Sequence, residues 1–147
     1  MKYAINTNYF RKECTNREII RMALDSGVDG IEWGLGALED AAKDAALMGQ
    51  MTRDAGLEIC GFLNAGVLWK YDEIRRWSDA VAAAGGKTLR VAHPWYAWDY
   101  REAIHQRDSY LELLERTRKG LEGLQQLGRE YSLRYVLETH SGAVAAS

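Results

Sequence analysis

The sequence is poor in cysteine and proline, and it lacks both long apolar runs and basic clusters. Its two cysteines, Cys14 and Cys60, are too few for a disulfide framework or a zinc knuckle, which favours a reducing compartment and makes the cytoplasm the expected location. No apolar stretch has the roughly 18 residues of a membrane span, and the N-terminus has no signal-peptide pattern. With a formal net charge of -2 and scattered Lys and Arg, neither nucleic acid nor a membrane is expected as a partner.

What the sequence does have is a repeated unit of one strand and one helix. Its 147 residues, 47% of them hydrophobic, indicate a single domain with a sizeable core. Thr15 to Glu18 has the form of a capping box that opens the first helix, and Gly27 ends that helix. Five strands alternating with four helices predict a parallel sheet with right-handed crossovers. The predicted strands are Lys2 to Asn6, Val28 to Trp33, Leu57 to Leu63, Lys87 to Ala92 and the stretch from Leu133 to Gly142.

Turn, capping and periodicity rules add detail to this series. Asn64-Ala65-Gly66 is predicted as a turn after the third strand, and Asp72 as the cap of the third helix. Cys60 is expected to be a small core residue. The buried stripe of the third helix is predicted at Ile74, Trp77, Val81 and Ala84. The longest helix runs from Asp108 to about Tyr131, with an apolar side at Leu111, Leu114, Leu121 and Leu124.

Two architectures are compatible with the series. The length favours an open five-stranded doubly wound sheet, because a closed eight-stranded barrel needs about 200 residues or more. However, Asn6-Thr7-Asn8 after the first strand has none of the glycines that cradle a phosphate in nucleotide-binding sheets. Polar or aromatic residues also end one strand after another, as in the active sites of barrel enzymes. They are Asn6, Asn8, Glu32, Trp33, Asn64, His93, Glu138 and His140.

The end of the fifth strand carries the most suggestive pair of side chains. Glu138 and His140 lie two residues apart, so on a strand they project from the same face. An oxygen ligand beside a nitrogen ligand is a plausible half of a site for a divalent metal.

Four short motifs follow one another along the chain. They are Gly30-Ile31-Glu32-Trp33-Gly34, Asp54-Ala55-Gly56-Leu57, Leu89-Arg90-Val91 and Leu137-Glu138-Thr139-His140-Ser141-Gly142. Together they resemble the xylose isomerase-like TIM-barrel superfamily, most strongly its sugar phosphate isomerase/epimerase group, with endonuclease IV as a more distant relative. The resemblance covers the whole chain, and it rests on the order and spacing of the motifs rather than on any single one.

This resemblance implies roles for several residues. Glu138 matches a metal ligand that, in the epimerases, also moves a proton at a carbon next to a carbonyl, and the implied metal is Mn, Mg, Co or Zn. His140 matches a histidine that lines the pocket. Glu32 matches a second-strand glutamate expected to contact the substrate or hold Arg90. His93 falls near a zinc-ligand histidine of endonuclease IV, with a poor surrounding match. The implied substrate is a small sugar or sugar phosphate.

The sequence also departs from that family. The family's remaining ligands, an aspartate, a histidine and a glutamate, lie on strands six to eight, whereas this chain ends at Ser147. We therefore expect residues 1–147 to form the N-terminal part of a (β/α)8 barrel, truncated after strand five and inactive on its own. Open sheet edges would favour homo-oligomers. The alternatives are a non-catalytic half-barrel that self-associates, an open-sheet binding module and an endonuclease IV-like repair enzyme, which the lack of a basic stripe disfavours.

Each candidate residue also has a purely structural interpretation. Glu32 and Arg90 can form an internal ion pair, since inward charges in a barrel require a partner. His93 precedes the only proline and can simply end a strand in extended geometry. Trp95 belongs to an aromatic segment, with Tyr96, Trp98 and Tyr100, that fits either a sugar pocket or packing over the barrel rim.

Overall fold

A computed structural model describes residues 1–10, 13–35, 41–68, 70–92 and 107–138 of the chain. Within them strands and helices alternate as the sequence predicts. The strands are β1 Ala4–Asn6, β2 Gly30–Gly34, β3 Glu58–Val67, β4 Thr88–Ala92 and β5 Arg134–Glu138. The helices are α1 Asn16–Asp25, α2 Ala41–Asp54, α3 Tyr71–Ala83 and α4 Arg107–Tyr131. No helix in these ranges is long and apolar enough to cross a membrane.

The strand order decides between the two predicted architectures. All five strands are parallel, and they follow one another in the sheet as β1-β2-β3-β4-β5. A doubly wound sheet reverses its strand order at a switch point, whereas a barrel adds each strand beside the previous one. Consecutive right-handed crossovers also bring every helix to the same face of the sheet. The described chain is therefore a segment of a (βα) barrel rather than an open doubly wound sheet.

The hydrophobic core lies between the helices and one face of the sheet. Trp33 is fully buried there, and its indole Nε1 donates a 2.9 Å hydrogen bond to Thr52 Oγ1 on α2. Each helix packs against the next, α1 on α2, α2 on α3 and α3 on α4. The predicted stripe of α3 is confirmed, because all four of its members are buried. We call the opposite side of the sheet, which carries Asn6, Glu32, Arg90 and Glu138, the inner face.

The first helix confirms its predicted ends. Thr15 is the N-cap, and a complete capping box joins it to Glu18. The Glu18 carboxylate accepts hydrogen bonds from the backbone N–H of Thr15 and from the Thr15 hydroxyl. These two bonds, the backbone bond more than the hydroxyl bond, lower the pKa of Glu18. Gly27 follows the helix at φ 66°, the left-handed conformation expected of a glycine in this position.

Two predictions about the third βα unit are wrong. Residues 64–66 are not a turn, because β3 continues to Val67 and pairs there with Ala92 of β4. Asp72 does not cap α3: the N-cap is Lys70, with no side-chain hydrogen bond, and Asp72 lies in the first turn. An acidic group in that turn still interacts favourably with the helix dipole.

Cys60 is exposed rather than part of the core. The pairing of β2 with β3 shifts by one residue here, since Ile31 pairs with Ile59 whereas Glu32 pairs with Gly61. Cys60 is therefore the extra residue of a β-bulge and escapes the alternation that would have buried it. The bulge also brings a glycine beside Glu32 on the inner face.

The long helix α4 buries a different side from the predicted one. Leu124 is buried, but Leu111, Leu114 and Leu121 are 51%, 44% and 41% exposed. From Thr117 onward, the buried positions of this helix are Thr117, Gly120, Leu124 and Leu127. A Cβ added to Gly120 would lie 1.8 Å from Leu68 Cδ1, so close packing on Leu68 selects the small residues and rotates the leucines outward.

Candidate functional site

Strand alternation brings four polar side chains to the inner face. On β2, Ile31 and Trp33 are buried beneath the helices, so Glu32 between them points to the opposite side. On β4, Arg90 lies in the same way between the buried Leu89 and Val91.

The fifth strand is oriented by a contact with α3. The Tyr135 hydroxyl lies 2.6 Å from Ser78 Oγ, so Tyr135 faces the helices. Because side chains alternate, Glu138 at the end of β5 faces the inner side with Val136. Glu138 thus lies at the carboxyl end of the sheet, where barrel enzymes carry their catalytic groups.

Arg90 is the centre of this group. Its Nη1 donates a 2.9 Å hydrogen bond to Glu138 Oε1, and its Nη2 lies 3.6 Å from Glu32 Oε2. The strand between Arg90 and Glu32 has Gly61 in register with Glu32, so no side chain at that level separates them. One guanidinium therefore links two carboxylates from β2 and β5.

The burial of the three groups differs. The side chains of Arg90 and Glu32 are 23% and 28% exposed, whereas Glu138 is 46% exposed. Arg90 Nε is buried and has no hydrogen-bond partner within the described ranges. The more sheltered Arg90 and Glu32 thus form the base of the site, and Glu138 is the carboxylate that is open to a ligand.

Asn6, at the end of β1, extends this group. It is in register with Glu32, and its Nδ2 donates a 2.5 Å hydrogen bond to Glu32 Oε2. Polar contacts therefore run from β1 through Glu32 and Arg90 to β5.

The structure brings together three of the residues singled out from the sequence, Glu32, Arg90 and Glu138. The ion pair predicted between Glu32 and Arg90 is present, and Arg90 also binds Glu138. His93, Trp95 and His140 lie outside the described residues. The sequence marks Asn6 as a strand-end residue but predicts no role for it in the site. Its signal in the sequence was its place at the end of the strand before the one that carries Glu32.

The described residues do not by themselves make up a metal site. A carboxylate at a strand end is a suitable ligand in kind for Mg²⁺ or Mn²⁺, but such ions take about six donors. Among residues 1–10, 13–35, 41–68, 70–92 and 107–138, no group of three His, Cys, Asp or Glu side chains could hold a metal ion. Glu138 also shares its carboxylate with Arg90. Any further ligands would have to lie outside these ranges.

A cavity of about 380 Å³ lies on the other side of the sheet, between α4 and β5. Its apolar lining includes Leu121, Leu124, Leu133 and Leu137. It contains none of the inner-face carboxylates, so it is separate from the candidate site.

Comparison with solved structures finds the same fold in three enzymes. The probable 3-DHS dehydratase AsbF of petrobactin synthesis from Bacillus anthracis is 20% identical, with a TM-score of 0.65 over 95% of this chain and 53% of its own. Mannonate dehydratase from Streptococcus suis serotype 2 is 13% identical, with a TM-score of 0.63 over 93% of this chain and 53% of its own. D-allulose 3-epimerase from Methylomonas sp. is 17% identical, with a TM-score of 0.51 over 83% and 44% of the two chains.

This chain therefore shares the fold of these three proteins, and its strand order identifies that fold as a (βα) barrel. The chain spans about half the length of each of these proteins. No family model and no curated protein sequence matches it.

Proposed function

We propose that this chain carries part of the active site of a sugar isomerase or epimerase, and that Glu138 transfers a proton at a carbon next to a carbonyl. The observation that carries the proposal is the hydrogen bond between Arg90 Nη1 and Glu138 Oε1 at the carboxyl end of the sheet. It fixes a partly exposed carboxylate where barrel enzymes bind their substrates. The structural neighbours, two dehydratases and an epimerase, are consistent with a small sugar or sugar acid as substrate.

The roles of the residues follow from their contacts. Arg90 occupies Oε1 of Glu138, which leaves Oε2 as the atom that we propose accepts the substrate proton. Glu32 is less exposed than Glu138 and is therefore less suited to act as a second base. We assign it to holding Arg90 from the opposite side. His140 and Trp95 remain candidates for substrate contact, and His93 is a weak candidate for a metal ligand.

A divalent metal, Mn, Mg, Co or Zn, would polarise the substrate carbonyl when bound. Glu138 would give it one ligand, and the others would come from outside the described residues. We also propose that the chain alone has an incomplete site.

The first test is metal binding, measured by calorimetric titration of Mn²⁺ into the chain and into Glu138→Gln. Glu130→Gln is the matched control, because Glu130 is also an arginine-bound glutamate, paired with Arg75 on the helical side. We expect weak binding that Glu138→Gln abolishes and Glu130→Gln leaves unchanged. Equal binding in all three proteins would contradict the role of Glu138 as a ligand, whereas no binding by the parent chain would favour a non-catalytic role for this chain.

The second test follows the proton itself. Ketose sugars and their phosphates are incubated in D₂O with the chain and Mn²⁺, and deuterium incorporation next to the carbonyl is measured by NMR. Any exchange above the buffer rate should be lost in Glu138→Gln. Exchange that survives this substitution would rule out Glu138 as the base, and no exchange by the parent chain would rule out catalysis by this chain alone.

A non-catalytic assembly unit is the second candidate function. The observation that favours it is the exposure of apolar side chains on α4, where Leu111, Leu114 and Leu121 are 51%, 44% and 41% exposed. Apolar groups exposed together on one helix favour association. We propose a second copy of the chain as the partner.

A further inference from the structure

The side chain of Asn6 is fixed in one orientation by its own backbone neighbourhood. Its Oδ1 accepts a 2.9 Å hydrogen bond from the backbone N–H of Asn8. A backbone N–H can only donate, so the carbonyl end of the amide must face it and the NH₂ end must face away. That NH₂ group is the one that donates to Glu32 Oε2 at 2.5 Å.

The acceptor of this bond is shared with the arginine. Glu32 Oε2, the oxygen held by Asn6, is also the oxygen that lies 3.6 Å from Arg90 Nη2. This separation is an ion-pair distance and is longer than a normal hydrogen bond. Arg90 therefore faces two carboxylates but hydrogen-bonds only the one on β5, at 2.9 Å.

We propose that Asn6 is a positioning residue that determines which of the two carboxylates, Glu32 or Glu138, accepts a hydrogen bond from Arg90. By holding Glu32 Oε2, Asn6 keeps Glu32 away from hydrogen-bond contact with Arg90, and Arg90 stays with Glu138. Without the amide donor, Glu32 turns to Arg90 and draws it away from β5. The inference rests on the proposed function only for the role of Glu138 in proton transfer. The competition of Glu32 and Glu138 for Arg90 follows from the geometry alone.

The test compares the Arg90 contacts in Asn6→Ala, Asn6→Ala/Glu32→Gln and Glu138→Gln. Side-chain ¹⁵N NMR of arginine-labelled protein reports on these contacts without any substrate, and Arg90→Lys assigns the Arg90 signals. The Glu138→Gln spectrum shows how the Nη signals of Arg90 look when its bond to β5 is lost. Asn6→Asp is the isosteric second variant: it keeps the acceptor for Asn8 but removes the amide donor and repels Glu32. Circular dichroism checks that each variant is folded.

We expect the Arg90 signals of Asn6→Ala and Asn6→Asp to shift towards the Glu138→Gln pattern. Adding Glu32→Gln to Asn6→Ala should restore the parent pattern, because the neutral amide no longer competes for Arg90. A purely structural role of Asn6 would not give this rescue. Parent-like signals in the Asn6 variants, or a double variant that keeps the Asn6→Ala pattern, would overturn the inference. Deuterium exchange by Glu138→Gln tests the proposed function separately, so either can fail without the other.

Discussion

Arg90 Nη1 hydrogen-bonds Glu138 Oε1 at 2.9 Å, although the two residues lie on neighbouring strands and are not in register with each other. Arg90 is paired with Val136 in the β4–β5 ladder, and Glu138 with Ala92. The guanidinium thus extends towards the carboxyl end of the sheet to contact Glu138 and in the opposite direction to contact Glu32. In each direction it spans one side-chain position of the inner face. This diagonal arrangement matches the staggered layers of side chains inside barrels.

The Arg90 array should contribute more to stability than a surface ion pair. Arg90→Met would leave Glu32 and Glu138 without the cation that both contact, and partial burial limits the solvation of these carboxylates by water. We expect the free energy of unfolding, measured by urea denaturation at neutral pH and low salt, to fall by about 2 kcal/mol.

Arg75→Met provides the matched control for that substitution. Arg75 also binds a carboxylate, that of Glu130, but the side chains of this pair are 42% and 45% exposed. An exposed pair of this kind contributes little to stability, because water screens the attraction between the two charges. Equal losses of unfolding free energy in Arg90→Met and Arg75→Met would show that the inner-face array contributes no more to stability than an exposed ion pair.

The sequence predicts the local structure of this chain well where one segment determines it alone. The capping box at Thr15, the left-handed glycine at Gly27 and the stripe of α3 depend on neighbours within a few residues, and all three are confirmed. The failures occur where distant packing decides. The side of α4 that is buried depends on how closely Leu68 approaches Gly120, which no helical periodicity can indicate.

The candidate site shows the same division. The strand pattern was enough to place Glu32, Arg90 and Glu138 on strands of a sheet, and the resemblance of the motifs suggested the pair of Glu32 with Arg90. Which side chains come into contact depends on the register between parallel strands and on the bulge at Cys60. Neither feature can be read from the sequence. The part played by Asn6 was missed for this reason.

The contact between Tyr135 and Ser78 should make stability depend on alkaline pH. Burial raises the pKa of Tyr135 above its ordinary value of 10.0. The folded state therefore holds the phenol proton more tightly than the unfolded state does. The stabilisation that this raised pKa contributes is fully present below pH 10.0, and it is lost as the pH rises through the pKa of Tyr135 in the folded state.

Tyr135→Phe tests this prediction. At neutral pH it should cost about 1 kcal/mol for the lost hydrogen bond, and Ser78 keeps its bond to the Ile74 carbonyl. Above pH 10.0 the stability of the variant should fall less steeply than that of the parent chain. Burial also raises the pKa of Tyr131, but Tyr131 is present in both proteins and cancels in the comparison. Parallel stability curves in urea denaturation from pH 8 to 11 would contradict the assignment.

Gly86 and Gly61 should differ in how strongly they respond to substitution by alanine. A Cβ added to Gly86 would lie 2.6 Å from Phe62 Cε2 and 2.8 Å from Val81 Cγ1, both in the core. Overpacking of this kind costs about 1 to 3 kcal/mol, and we expect Gly86→Ala to lower the unfolding midpoint in urea. At Gly61 the nearest atoms lie at 3.5 Å, an ordinary contact, so Gly61→Ala should change stability by less than about 1 kcal/mol. A larger loss in Gly61→Ala than in Gly86→Ala would contradict this account of the packing.

The exposed leucines of α4 should make the chain self-associate. Leu114 and Leu121 are 44% and 41% exposed on one side of the helix, next to the edge strand β5. Sedimentation velocity over a range of concentrations should show a reversible rise in molecular weight, because association removes this apolar surface from water. Leu121→Glu should shift the chain towards monomer. Leu24→Glu is the matched control, since Leu24 is a 51% exposed leucine on α1, at the other end of the sheet. A chain that stays monomeric at every concentration, or one that both substitutions dissociate equally, would rule out assembly through the β5 side.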